Sequence, residues 1–233
     1  MKGMLKAEKF KFLHSYSLWI IIGVLLICCG ISIITGTYSS AEDALNSLSK
    51  DSMVPILACA IFSASILTED FSNGLLRHFI SNGYKRSFII MAKFIHYMAG
   101  CGILLFVYPL VSVVLAAGIQ GLETSFLAIL ISMLLSIFRS IPLYFGVFSV
   151  FFLFSVWSKK GTIAMGVSVA FSILIVIFTN KFYSAGNLLR YSPIIQLGQS
   201  NDVSEYFISV GISMVVLVIC LCSSVIRFNR DEL

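Results

Sequence analysis

The stretch from Phe126 to Trp157 carries no charged side chain except Arg139. Helical throughout, its 32 residues reach about 48 Å, more than the roughly 30 Å of a bilayer's hydrocarbon core. A soluble domain has no interior deep enough for such an element. Shorter runs of the same kind recur along the chain, and 58% of all residues are hydrophobic while 12% are charged, with a mean hydropathy of +0.98. The chain therefore reads as a single all-α, polytopic membrane domain over residues 1–233. Six spans are expected, at 18–36, 53–68, 94–118, 126–157, 161–180 and 205–226. Pro142 interrupts the fourth run by removing one backbone hydrogen bond and disfavouring helical geometry at Ile141. That leaves one kinked, tilted span or a re-entrant segment followed by a span from about Pro142.

Two interfacial elements complete the expected architecture. Residues 1–16 mix Lys2, Lys6, Lys9 and Lys11 with Met4, Leu5, Phe10, Phe12 and Leu13, the pattern of a helix in the headgroup region whose lysines reach for water. Between the fifth and sixth spans, Asn187 to Ile195 is amphipathic enough to form an outer interfacial or re-entrant helix. Orientation follows from Lys and Arg placement: twelve lie on the side of the N-terminus and only Lys50, Lys181 and Arg190 on the other, so both termini are placed in the cytoplasm. The net charge of +5 is of this topological kind, and nothing in its distribution marks a nucleic-acid surface.

The longest polar interval, EDFSNGLLRHFISNGYKRSFIIMAK from Glu69 to Lys93, then falls on the cytoplasmic side between the second and third spans. Phe71, Leu75, Leu76, Phe79 and Ile80 recur at helical spacing with Asn73, Arg77 and His78 between them, which predicts a short amphipathic helix. Asn82-Gly83 supplies its stop. The order of acidic pair, Gly-Leu-Leu-Arg, turn, Lys-Arg, apolar triplet and Ala-Lys resembles the first cytoplasmic loop of the type-2 export permeases of ATP-binding-cassette transporters. Glu69, Gly74, Leu75, Leu76, Arg77, Arg86 and Lys93 stand at the matching positions. Tyr191-Ser192-Pro193 resembles the outer segment of the same family.

The resemblance implies a permease subunit that pairs with a second one, like or unlike, and with separate ATPase subunits that bind ATP and Mg. It implies a coupling helix at which Glu69, Phe71, Gly74, Leu75, Leu76, Arg77 and Phe79 meet the ATPase. It also implies an amphipathic cargo, such as an exported peptide, an antimicrobial peptide against which the cell protects itself, or a lipid-like molecule. The setting would be a cell membrane, in a bacterium the plasma membrane, with lipids as the remaining contacts.

Residue chemistry alone limits the alternatives. No phosphate-binding Gly-x-x-x-x-Gly-Lys-Ser/Thr occurs and no polar region could hold a nucleotide fold, so ATP hydrolysis belongs on a partner and this chain is expected to be no enzyme and to bind no cofactor itself. Ser-His-Asp and His-Glu-x-x-His sets are missing too, and the six cysteines lie inside apolar runs without metal-ligand spacing. Arg139, with Pro142 one turn on, is the candidate for a substrate path. An arginine at mid-span costs about 2.5–3.5 kcal/mol, and Glu123, Glu205 or an anionic headgroup could neutralise it, or it could snorkel to the outer surface. A secondary carrier, pore or scaffold that uses no ATPase stays open, although a carrier needs an acid near mid-membrane and every acid here lies near a span end or in a loop.

Overall fold

The computed structural model describes residues 16–35, 53–72, 75–120, 126–158, 160–182 and 203–230. These form seven helices: α1 (Tyr16–Thr35), α2 (Met53–Ser72), α3 (Leu75–Ser81), α4 (Arg86–Gln120), α5 (Phe126–Ser158), α6 (Gly161–Phe182) and α7 (Val203–Arg230). The expected interfacial helices before the first span and between the last two fall outside the described residues. Among the described residues four helices are long and apolar enough to cross a membrane, namely α1, α4, α5 and α7. Met53–Leu67 of α2 and Gly161–Ile175 of α6 are shorter apolar windows. The described residues are thus all-helical, and four of their helices have the length that a membrane span requires.

The long apolar run forms one continuous helix, α5, with Pro142 inside it. Neither a gap nor a re-entrant loop separates residues 126 and 158. Similarly, α4 continues through Pro109 and starts at Arg86, two turns before the expected start at Phe94, because Ser87, Phe88 and the apolar triplet after them already hold helical geometry.

α2 lies against α4, α5 and α6, while α1 packs on α4. At the centre, Phe62 of α2 stacks on Tyr97 of α4 with centroids 6.2 Å apart, and Tyr97 in turn meets Phe152 of α5 at 5.7 Å. Phe62, Tyr97 and Phe152 are fully buried, so this cluster fixes the spacing of three helices. Hydroxyl and thiol contacts accompany it. The Ser63 and Ser155 hydroxyls lie 3.1 Å apart between α2 and α5, and Cys29 of α1 meets Ser112 of α4 at 2.9 Å. Such pairs suit helices that must associate where apolar burial discriminates little between protein and lipid.

The most extensive contact joins α5 to α7. Its partners recur every seven residues along α7: Tyr206, Ser213, Cys220 and Arg227 meet Arg139, the Pro142–Gly146 turn, Ser149 and Trp157 in turn. Both sets of numbers rise together, so the two helices run parallel along a heptad seam.

Candidate coupling site

The interval between α2 and α4 folds back on itself, and the stop of α3 shows how. Gly83 has a φ of 83°, a left-handed conformation that glycine adopts without cost. From there the Gly83 N–H donates to the Ile80 carbonyl at 3.0 Å, and the Tyr84 N–H reaches the Phe79 carbonyl at 3.2 Å. These are the two bonds of a Schellman cap. Its customary apolar contact is present too, as Phe79 and Tyr84 meet edge to face at 6.1 Å. The Asn82-Gly83 stop expected from the sequence is therefore a complete capping motif, which aims the chain directly into α4.

The apolar face of α3 turns inward. Leu76 keeps 1% of its surface exposed, and Leu75 and Phe79 are half-buried. Phe71, at the end of α2, packs edge to face on Phe228 of α7 at 6.2 Å. Side chains that the resemblance assigns to a groove on another subunit thus contact this chain's own core, because α3 is too short to stand away from the helix ends that flank it. What the hairpin presents outward is His78, Ser81, Asn82 and Lys85. Gly74 and the side chains of Glu69 and Arg77 lie outside the described residues.

Beneath α3 sits an ion pair that the sequence reading did not anticipate. Lys93 Nζ donates to Asp70 Oδ2, with side-chain exposures of 0% and 1%. Asp70 belongs to the last turn of α2 and Lys93 lies two turns into α4, so the pair closes the hairpin across its base. In the sequence Asp70 is half of the acidic pair and Lys93 ends the Ala-Lys step of the motif, and neither is assigned a partner there. A sequence signal for the pairing existed only at Lys93, which is set directly among the apolar Ile89, Ile90, Met91, Ala92, Phe94 and Ile95.

A third restraint comes from the C-terminal end of α7. Phe228 is fully buried, and Arg86 Nη1 donates to the Asn229 carbonyl at 3.3 Å. Both limbs of the hairpin therefore touch α7, Phe71 from α2 and Arg86 from α4.

No family model matches this chain, and no curated protein does. Among the described residues no group of three or more His, Cys, Asp or Glu could hold a metal ion.

Arg139 and Pro142 are placed by the α5–α7 seam. The Arg139 side chain is exposed, its guanidinium lies 5.1 Å from the centre of the Tyr206 ring, and the Tyr206 hydroxyl donates to the Arg139 carbonyl at 2.8 Å. At the other end of the seam Arg227 stands 6.0 Å over Trp157. The two arginine–aromatic pairs are 18 residues apart on α5 and 21 on α7, or about 27 and 32 Å of helix, close to one hydrocarbon core. Trp and Arg at that spacing suit the two interfaces, where an aromatic ring holds the arginine stem at headgroup level. Arg139 is thus exposed at one end of the α5–α7 seam, beside Tyr206. The Pro142 carbonyl accepts the Ser213 hydroxyl at 2.6 Å, a contact that no spacing rule in the sequence announces.

Proposed function

We propose that this chain is the membrane-spanning permease subunit of an ATP-binding-cassette exporter of the type-2 class, moving an amphipathic peptide or lipid-like substrate outward with energy from ATP hydrolysed on a separate subunit. It crosses the membrane six times with both termini in the cytoplasm and works beside a second permease subunit. The observation that carries this reading is the hairpin of α2, α3 and α4. A connector that merely links two spans needs no helix of its own, no cap and no buried ion pair. A part that must be pushed needs stiffness, and here the Schellman cap, the Asp70–Lys93 pair and the Phe71–Phe228 contact make the loop move as one body with α2, α4 and α7.

With Leu76 and Phe79 turned inward, the partner meets the outward polar face instead. His78, Asn82 and Lys85 then set the contact by hydrogen bonding and charge, and the apolar side chains of α3 hold the lever to its own helices. An exposed Arg139 on α5 provides a cation where a substrate with an anionic or polar end would leave the bilayer.

The test is to purify the tagged chain from its native membrane, identify a copurifying subunit with a phosphate-binding loop, and measure its ATP hydrolysis with Lys85→Glu and His78→Glu in place. Hydrolysis stimulated by the permease should drop several-fold while the thermal stability of the chain stays unchanged. If no such subunit copurifies, or if both variants stimulate hydrolysis like the parent, the proposal fails.

A further inference from the structure

We propose that α7 is a transmission rod, which takes up movement of the cytoplasmic hairpin at Phe228 and Asn229 and delivers it to the Pro142–Gly146 turn of α5 through Ser213.

The turn is the weak point of α5. Pro142 has no N–H, so the Phe138 carbonyl, one turn before, lacks its ladder bond and α5 is loosened where this turn begins. Ser213 then enters the turn from α7. Its hydroxyl accepts the Gly146 N–H at 3.0 Å and donates to the Pro142 carbonyl at 2.6 Å, with the Leu143 carbonyl at 3.2 Å as its alternative acceptor. Gly146 N–H and Pro142 C=O are the two groups that an uninterrupted helix pairs with each other. A side chain placed between them is a recognised cause of helix bending. The approach is possible only because residue 146 is glycine: a Cβ there would lie 2.5 Å from the Ser213 hydroxyl and 2.9 Å from its Cα.

The Ser213 hydroxyl thus bonds both groups of this rung, and in this scheme the position of α7 sets how far it enters and so the bend of the turn. That position is set at the cytoplasmic end, where Phe228 is fully buried against Phe71 and the Asn229 carbonyl holds Arg86. Along the rod the heptad seam keeps Tyr206, Ser213, Cys220 and Arg227 on α5, so a shift of Phe228 is felt at Ser213 some 15 residues away. Past the turn lies the outer part of α5 with Arg139. Ser213 is a positioning residue in this scheme, acting on Arg139 through the bend of α5.

What moves the hairpin rests on the permease reading, but the rod itself does not, and the experiment uses this chain alone. Nitroxides are placed at Leu135 of α5 and Ile103 of α4, both exposed, after Cys28→Ala and Cys222→Ala remove the exposed thiols. The protein is held in phosphatidylcholine–phosphatidylglycerol nanodiscs without ATP or any partner, and the dipolar distance distribution is recorded. A change in bend of about 10° acting over the roughly 16 Å of helix from Gly146 to Leu135 moves the outer label by about 3 Å. Ser213→Ala should shift the distribution by that order, Phe228→Ala should shift it in the same direction, and the double variant should go no further than the larger single one. Arg86→Gln, which releases the Asn229 carbonyl, should give a smaller shift of the same sign and guards against a Phe228→Ala protein that fails to fold. The proposal is overturned if Ser213→Ala leaves the distribution in place, or if Ser213→Ala shifts it while neither Phe228→Ala nor Arg86→Gln does. A missing ATPase partner changes none of these outcomes and bears only on the proposed function.

Discussion

Asp70 and Lys93 are joined in an ion pair that leaves 1% and 0% of the two side chains exposed, and it ties the last turn of α2 to the third turn of α4. Neither charge could occupy that position alone. Removing one partner from a buried pair strands the other, at a cost of about 3–5 kcal/mol, whereas replacing both with apolar groups of similar volume is close to neutral.

Thermal unfolding in detergent should therefore show Asp70→Ala and Lys93→Ala each strongly destabilised, and the double variant Asp70→Leu/Lys93→Met recovering most of the loss. A double variant as unstable as the sum of the singles would mean that the two charges do not serve each other.

Gly146 yields a second stability prediction. Adding one methyl should cost about 1–3 kcal/mol, since the Ser213 backbone has to move away. Gly102→Ala and Gly166→Ala are the controls, since an added Cβ meets nothing within 4 Å at either position. Equal melting temperatures for all three variants would show that the α5–α7 crossing is looser than described.

For Arg139, exposure and function separate cleanly. Arg139→Leu should leave folding and membrane insertion intact, because the side chain is exposed and leucine is at home beside lipid. Transport assayed in reconstituted vesicles should nevertheless drop about tenfold, the equivalent of 1.4 kcal/mol. Undiminished transport would leave Arg139 as an interfacial anchor and nothing more.

Topology is testable without knowing the substrate. Single cysteines at Ser47 and Asn201 should react with an impermeant thiol reagent added outside intact cells, and those at Ser81 and Ser158 should react only after permeabilisation. The reverse pattern would invert the orientation drawn from the basic residues.

Much of this architecture is legible in the chain itself. Apolar runs of membrane length admit only helices, since backbone groups in hydrocarbon must be satisfied within the segment. The stop of α3 is equally local, because Asn82-Gly83 needs only its own left-handed turn and the side chains of Phe79 and Tyr84. What the tertiary structure decided is which side of each helix meets protein. On α1, Leu18, Ile21 and Leu25 are buried while Trp19, Ile20 and Val24 are exposed, and hydropathy does not separate the two sets. In a soluble protein, polar residues would mark the outer face; where the surroundings are lipid, inner and outer faces are equally apolar and periodicity no longer points to the core. For that reason the inward turn of Leu76, the meeting of Asp70 with Lys93, and the entry of Ser213 into the Pro142–Gly146 turn all depended on which helices came to lie side by side.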